Sequence, residues 1–308
     1  MRRVLILLST YNGEKYLREQ LDSILSQKDV DITVLVRDDG SKDSTCKILE
    51  EYKTKHKNIV VHIENNIGCK KSFFTLLKYA KENHNNYDYY AFSDQDDVWL
   101  DDKLISAIKL MEQSDSPCKF YSSGSTKVDC NLNKILQRNE YKACSFGNNI
   151  ISSNVLGCTS VFSKSIMFSC SDCYDIVINL PDHLLPYHDA YSSLVAFALD
   201  SYMVFDNNSH ILYRQHGHNL VGGDGQSALS AQMGRLRSPY RRFTKIRILL
   251  ASVNHKLISP DKLELLQLCA NANRSFASRM KLIKDKRMRG FDWEHTLFFW
   301  INILLKKW

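Results

Sequence analysis

Four short apolar runs limit how this chain can fold: Val4–Leu8, Ile32–Val36, Ile59–Ile63 and Tyr89–Phe92. Each is continuous rather than alternating, the pattern of a strand covered on both faces. Between them, apolar residues recur at helical spacing. Tyr16, Leu17, Leu21, Ile24 and Leu25 form one stripe ending near Gln27; Ile48, Leu49 and Tyr52 form a second; Phe73, Leu76, Leu77 and Ala80 form a third. Strands alternating with helices predict βαβ units, and so an α/β fold with a mostly parallel twisted sheet and helices on both faces. In such sheets ligands bind beyond the carboxyl ends of the strands.

The strand ends are where this chain is unusual. Val4–Leu8 closes on Ser9-Thr10-Tyr11-Asn12-Gly13, Ile32–Val36 on Arg37-Asp38-Asp39-Gly40-Ser41, and Tyr89–Phe92 on Ser93-Asp94-Gln95-Asp96-Asp97-Val98-Trp99. Asp94, Asp96 and Asp97 crowd together, and crowded carboxylates repel one another unless a cation neutralises them. Oxygen ligands at i and i+2 suit Mg²⁺ or Mn²⁺, which fill their shells with phosphate and water. The bland reading makes Asp97, Asp101 and Asp102 caps of the next helix, which carries Leu104, Ile105, Ile108 and Met111. No Gly-x-Gly-x-x-Gly and no Walker-type loop follows a strand, so the turns hold no bare phosphate. Carboxylates accept hydrogen bonds from a base or a ribose, and a diphosphate beside them needs a bridging cation.

Beyond the fourth run the pattern loosens. Lys119–Ser123 and Val155–Phe162 read as strands, and Asp129–Asn149 as a polar loop between them. Ala190–Leu199 reads as a helix, with Asp189 just before it as its N-cap or as a fixed base. Tyr202–Phe205 and Ile211–Tyr213 read as two further strands, followed by Arg214-Gln215-His216-Gly217-His218. A Ser-His-Asp assembly from His188, Asp189 and Ser192 fails, because sequence neighbours rarely form the required relay.

Composition narrows the setting. A chain of 308 residues, 44% hydrophobic and 24% charged, is an ordinary globular one. Nine cysteines without paired spacings, apart from Cys170-Ser-Asp-Cys173, read as reduced thiols. Met1-Arg2-Arg3 leads into five apolar residues, too few for a secretory core, and no stretch approaches the roughly 20 that a spanning helix needs. The expected setting is the cytoplasm, with contact at the inner face of the plasma membrane as an option. Much of the net charge of +7 falls late, in Arg235, Arg237, Arg241, Arg242, Lys245 and Arg247, then Lys281, Lys284, Lys286, Arg287 and Arg289. That excess suits an anionic surface or simply solvated helix faces. Nucleic acid is a poor partner, since the carboxylate crevice would repel its phosphates.

Taken together, Thr10-Tyr11-Asn12-Gly13-Glu14, Arg37-Asp38-Asp39-Gly40-Ser41, Asn66-Ile67-Gly68 and Ser93–Trp99 resemble, in order and spacing, the motifs of family 2 glycosyltransferases with the GT-A fold. Tyr187-His188-Asp189 and Tyr213-Arg214-Gln215-His216-Gly217 resemble the rhamnosyltransferase-like branch, whose members build bacterial O-antigens, capsules and cell-wall polysaccharides. The resemblance covers roughly residues 3–222. It implies an inverting, metal-dependent transfer from a dTDP- or UDP-sugar to a glycan or polyprenyl-diphosphate-linked acceptor. By that resemblance Asp39 reads the base, with Thr10, Tyr11, Asn12 and Glu14 lining the same pocket. Asn66, Gly68 and Lys70 continue it, and Asp94 approaches the ribose. Asp96 or Asp97 holds Mn²⁺ or Mg²⁺, with His216 adding to the metal or diphosphate shell, and Asp189 is the general base. One departure stands out: many relatives carry Ala-Arg-Asn where this chain has Ser72-Phe73-Phe74, leaving Lys70 or Lys71 to supply the positive charge.

The expected division is a GT-A catalytic domain over 1–222 and a basic, amphipathic helical region over 223–308. In the latter, Arg235–Leu250 reads as a basic amphipathic helix. Trp293–Trp308 reads as an aromatic, apolar and basic helix that lies on a membrane, packs on the catalytic domain or joins a second subunit. Two competing functions share the layout: a sugar-phosphate nucleotidyltransferase, and an inactive sugar- or lipid-binding module. The first wants a glycine-rich triphosphate loop after the first strand, and Ser9–Gly13 is not one. Intact Asp39, Asp94, Asp96 and Asp189 argue against the second.

Overall fold

A computed structural model of the chain describes residues 1–138, 144–153, 155–216, 239–290 and 293–305. The expected boundary at 222/223 lies outside them, as do Gly217, His218, Arg235, Arg237, Phe291 and the Lys306-Lys307-Trp308 end.

The four apolar runs form strands β1 (Arg2–Thr10), β2 (Val30–Asp38), β3 (Ile59–Ile63) and β4 (Tyr89–Ser93), joined by α1 (Leu17–Leu25), α2 (Thr45–Lys55) and α3 (Cys69–Asn83). They lie parallel in the order β3-β2-β1-β4. The continuous runs need two apolar layers, and they have them. On β1, Val4, Ile6 and Leu8 face α1, α2 and α4 (Lys103–Met111), while Leu5 and Leu7 face α3 and the helices beyond it. Helices α1 and α2 therefore cover one face and α3 the other, so the winding reverses between β1 and β4. That reversal opens a crevice at the carboxyl ends of the two strands.

The rest of the sheet is mixed. β4 pairs antiparallel with β8 (Val161–Ser163), β8 antiparallel with β6 (Lys119–Val128), β6 parallel with β9 (Tyr202–Arg214), and β9 antiparallel with β5 (Val98–Trp99). Three expectations need correction here. Val155–Phe162 is not one strand: Gly157–Thr159 is a 3₁₀ turn, and the strand begins only at Val161. The Asp129–Asn149 loop holds β7 (Lys134–Arg138), which pairs with β6, and the start of α5 (Phe146–Ile151); residues 139–143 lie outside the described residues. The two strands expected over 202–213 are one, β9, whose register against β6 shifts near Gly124. Within that strand the Asp206 carboxylate accepts from the Asn208 N–H at 2.8 Å.

Helices α6 (Lys164–Ser171), α7 (Tyr174–Val177) and α8 (His188–Ala198) cover the α3 side. The C-terminal helices α9 (Pro239–Ser252), α10 (Pro260–Asn271), α11 (Phe276–Lys284) and α12 (Trp293–Leu304) extend that same apolar cluster through Phe243, Ile246, Leu249, Leu266, Leu282, Phe299 and Ile303. The basic amphipathic helix expected over Arg235–Leu250 is described from Pro239, and it packs into the core through Phe243, Ile246, Ile248 and Leu249. A tight contact marks the junction. A Cβ added at Gly147 on α5 would overlap the backbone carbonyl of Arg287, and Asn148 donates to the Arg289 carbonyl.

Gly147→Ala therefore forces backbone apart and should lower stability by roughly 2 kcal/mol or more. Chemical denaturation checks this, and a variant as stable as wild type contradicts the packing.

Candidate active site

The crevice at the β1/β4 reversal collects most of the residues singled out by sequence. Two loops are sewn together on its β2 side. The Asp38 carboxylate accepts from the Gly40 and Ser41 N–H groups at 3.1 and 2.8 Å and from Thr10 Oγ1 at 2.9 Å. Asn12, with a positive φ of 47°, accepts from the Lys42 N–H at 2.8 Å, and Glu14 accepts from the Ser44 N–H at 2.8 Å. Thr10, Asn12 and Glu14 thus shape the pocket wall by holding it. Tyr11 is different. Gln95 takes both backbone groups of Tyr11 (Oε1 to the N–H, 2.8 Å; Nε2 to the carbonyl, 3.1 Å), while the Tyr11 ring is 47% exposed at the mouth.

Asp39 is buried at the floor. Its Oδ1 accepts from Arg37 Nη1 at 2.6 Å and the Ile67 N–H at 2.8 Å, and its Oδ2 accepts from the Gly68 N–H at 2.9 Å. A carboxylate has about four acceptor positions, so one remains on Oδ2 for an outside donor. Gly68 reaches Asp39 because its φ is 87°, a conformation that a glycine adopts without strain. Asn66 is exposed beside this turn. Of the two lysines offered in place of the missing arginine, Lys71 turns away and donates to the Ile178 carbonyl at 2.8 Å. Lys70 stays near, buried over the Tyr187 ring and paired with Asp182 at 3.0 Å.

The three carboxylates after β4 divide. Asp96 Oδ2 lies 2.6 Å from His216 Nε2, on the outer side beside the Tyr16 ring. Asp97 points inward and is fully buried. One of its oxygens accepts from the Arg214 N–H at 3.2 Å, and the other has no partner. Ligand atoms of Asp94, Asp97 and Cys158 lie within 4.8 Å of one another. Burial first, then Asp96 and Asp189, pushes the Asp94 carboxyl up to about 7; burial, then Asp96 and Asp94, also holds Asp97 well above the usual carboxylate range. Burial, then Asp97 and Asp94, likewise raises the Cys158 thiol.

A divalent cation fits this donor set. An inward, unpartnered carboxylate oxygen beside a second carboxylate is what a hard cation would satisfy, and Asp96 with His216 offers two more donors at the rim. The thiol is a softer neighbour, better suited to Mn²⁺ than to Mg²⁺.

Asp189 stands across the crevice on α8. That helix begins at His188 with Tyr187 as its N-cap, so Asp189 occupies the first turn rather than the cap. Its carboxylate accepts from the Ala190 N–H at 2.6 Å, and the Gly157 N–H lies near enough to favour its charge. Burial raises its pKa, while those two N–H groups and Lys245 pull it back. The Gly157–Cys158 turn joins the two walls: a Cβ on Gly157 would lie 3.4 Å from the Asp189 Cβ, and the Cys158 thiol lies with Asp94 and Asp97. His188 stacks on Phe73 at 3.7 Å and meets Phe92 edge-on at 4.6 Å, which anchors the start of α8.

Sequence reasoning passed over two residues that matter here. Arg214 had been quoted only within a motif. Its Nε donates to the Asp96 carbonyl at 2.8 Å, its Nη1 to the Cys130 carbonyl at 2.7 Å, and its guanidinium pairs with Glu19. Lys103 had gone unnoticed. It is fully buried, 2.8 Å from the Cys158 carbonyl and 3.0 Å from the Trp99 ring centroid. Burial lowers its pKa to about 7 against the pull of Cys158, Asp97 and Asp94. A lysine on the apolar stripe of α4, directly after Asp101 and Asp102, was the available signal.

The sequence profile described as Glycosyl transferase family 2 matches residues 5–168. The dTDP-rhamnosyl transferase RfbG of Shigella flexneri is 32% identical over 267 residues, covering 81% of this chain and 88% of that protein. A teichuronic acid biosynthesis glycosyltransferase of Bacillus subtilis, TuaG, is 32% identical over 123 residues, 39% of this chain and 46% of that one. Among solved structures, S. aureus TarS 1–349 in complex with UDP-GlcNAc superposes with a TM-score of 0.56 at 18% identity, covering 99% of this chain and 92% of that one. That likeness establishes the GT-A fold.

The Asp94 proton gives a test of the charge crowding. The folded protein keeps it to about pH 7, whereas an unfolded chain releases it near pH 4, at about 3.9. The native state then binds more protons in that window, so the wild-type carboxylate destabilises the fold increasingly as pH rises through it. Asp94→Asn should melt above wild type in EDTA, the gap opening between about pH 4 and 7 and staying level beyond. A wild type that melts higher at pH 8 contradicts this.

Proposed function

The chain belongs to glycosyl transferase family 2, and from that premise we propose that it transfers rhamnose or a similar sugar from a dTDP- or UDP-linked donor, with inversion, to a glycan or polyprenyl-diphosphate-linked acceptor of a bacterial surface polysaccharide. The observation that carries the reading is the pair of acidic walls facing one crevice, Asp94 to Asp97 on one side and Asp189 on the other. The identity to a dTDP-rhamnosyl transferase supports the donor, and the likeness to a teichuronic acid enzyme supports the polysaccharide setting.

In this reading the nucleoside lies against the β2 side of the crevice. The free acceptor position of Asp39 takes a base N–H, the Tyr11 ring covers the base, and Asp94 accepts from a ribose hydroxyl. Asn66, Gly68 and Lys70 border the same pocket. Asp96 and His216, with Asp97 behind them, hold Mn²⁺ or Mg²⁺. When bound, that cation neutralises the diphosphate and the charge that grows on its leaving oxygen.

Asp189 accepts the proton of the acceptor hydroxyl. Its raised pKa makes it a better base than an exposed aspartate, and the Ala190 N–H fixes where it points. The acceptor oxygen bonds to the anomeric carbon as the carbon–phosphate oxygen bond breaks on the other face. One displacement of this kind inverts the centre, by the logic of an inverting hydrolase with a hydroxyl in place of water.

Incubation with a panel of dTDP-, UDP- and GDP-sugars plus Mn²⁺ tests the reading through nucleotide release. Release is expected from dTDP-rhamnose. Asp189→Asn should lower kcat by roughly 10²–10⁴-fold while the nucleotide still raises Tm, and Asp96→Ala should lose turnover. No release from any donor defeats the proposal, and turnover indifferent to EDTA defeats its metal part.

Membrane contact at the acceptor side is a further part of this reading. No helix among the described residues is long and apolar enough to cross a membrane. α12 buries Phe299 and Ile303 against the core yet leaves Trp293 72%, Leu297 40% and Leu304 47% exposed, and Lys281, Lys284 and Lys286 are exposed nearby. An apolar face flanked by lysines suits an anionic lipid surface. The full chain should pellet with phosphatidylglycerol vesicles, and the double variant Trp293→Glu, Leu297→Glu should stay in solution. Equal pelleting of the two excludes this face.

A further inference from the structure

The turn between α7 and α8 brings a carboxylate to the Asp39 end of the crevice. Residues 181–185 close on themselves, the Leu184 and Leu185 N–H groups donating to the Pro181 and Asp182 carbonyls at 3.0 and 3.2 Å. Leu185 is fully buried in the core and anchors the turn. Asp182 does the opposite: its side chain is 70% exposed. That carboxylate meets Lys70, in the first turn of α3, at 3.0 Å, and Lys70 Nζ also donates to the Asp182 carbonyl at 2.8 Å. The same carboxylate overhangs Gly68, where an added Cβ would lie 4.0 Å from Asp182 Oδ1. Gly68 is the residue whose N–H bonds Asp39 at 2.9 Å, so Asp182 stands beside the pocket floor.

The two partners are unequal. The Lys70 side chain is only 7% exposed and lies over the Tyr187 ring, 5.2 Å from its centroid. A buried ammonium is costly to leave unpaired, whereas a carboxylate as exposed as Asp182 gains little from the contact and exchanges readily. An ammonium carries three donors. Its contact with the Asp182 carbonyl belongs to the anchored backbone of the turn, but its contact with the carboxylate depends only on the Asp182 side-chain torsions. Rotation of one exposed side chain therefore offers the ammonium to another anion without moving the backbone.

We infer that Asp182 is a tethered substitute for a phosphate of the donor: it holds Lys70 until a nucleoside diphosphate displaces it and takes the ammonium. The inference rests on the reading that the crevice binds a nucleoside diphosphate. A diphosphate prevails over the single carboxylate because it brings more charge and more acceptor oxygens. The internal competitor lowers the apparent affinity by the fraction of molecules in which Lys70 is free.

Calorimetric titration with dTDP in Mn²⁺ tests this on four full-length proteins: wild type, Asp182→Ala, Lys70→Met and the double variant. Asp182→Ala should bind dTDP roughly three- to tenfold more tightly than wild type, and Lys70→Met roughly tenfold more weakly. In the Lys70→Met background, Asp182→Ala should change nothing, since no ammonium is left to compete for. Plain repulsion between Asp182 and the diphosphate would instead give the same gain in both backgrounds, and that result overturns the inference. Equal affinity in wild type and Asp182→Ala also overturns it, while leaving the nucleotide reading in place. Absence of dTDP binding in all four proteins overturns that reading and the inference with it.

Discussion

Everything at this site depends on crowding three carboxylates at the end of one strand, one of them wholly out of water. Asp94, Asp96 and Asp97 follow a fully buried β4, and their repulsion is not relieved by exposure, since Asp97 has none. The fold answers from two sides. Arg214 grips the loop through the Asp96 carbonyl and the Asp97 carboxylate, and Lys103 stands beneath with a buried amine, which leaves the side facing the crevice for the cation of the proposed function. The two hold the loop in place without neutralising it fully. An incompletely compensated acidic cluster is what a diphosphate arriving with a divalent cation can use.

That constraint reaches outward. The crevice exists because the sheet winds both ways from β1, and the winding follows from α3 packing on the face opposite α1 and α2. The Asp39 loop closes one end of the crevice through the turn at Gly68, and the Gly157 turn closes the other beside Asp189. A side chain at Gly157 would strike the His188 ring, so the stacked histidine and the glycine together set the position of Asp189. Behind it the C-terminal helices join the GT-A half through one continuous apolar cluster.

Much of this was legible in the chain, for physical reasons. Continuous apolar runs separated by 3.6-residue periodicity admit few folds, and β1 to β4 with their helices appear where the pattern put them. The middle was harder. Val155–Phe162 looks like a strand by composition, yet the site needs a 3₁₀ turn there so that Gly157 and Cys158 can face the carboxylates. Asp129–Asn149 looks like a loop because β7 is an exposed strand with Ile135 and Leu136 outward, lacking the apolar alternation that marks a core strand. Of the candidate site residues, spacing identified the carboxylates but not their orientation, so Asp96 and Asp97, adjacent in sequence, point to opposite sides of the loop. The buried amine of Lys103 was invisible, since it is one basic residue in a helical stripe and only the fold places it beneath the β4 carboxylates.

The central claim is that the crevice accepts a nucleoside diphosphate only in company with a cation. Calorimetric titration of the full-length protein with dTDP, in Mn²⁺ and then in EDTA, tests it most directly. Binding confined to the Mn²⁺ titration is the result the account predicts. Equal affinity in EDTA would contradict it, because the carboxylates of β4 would then be facing a diphosphate with nothing between them.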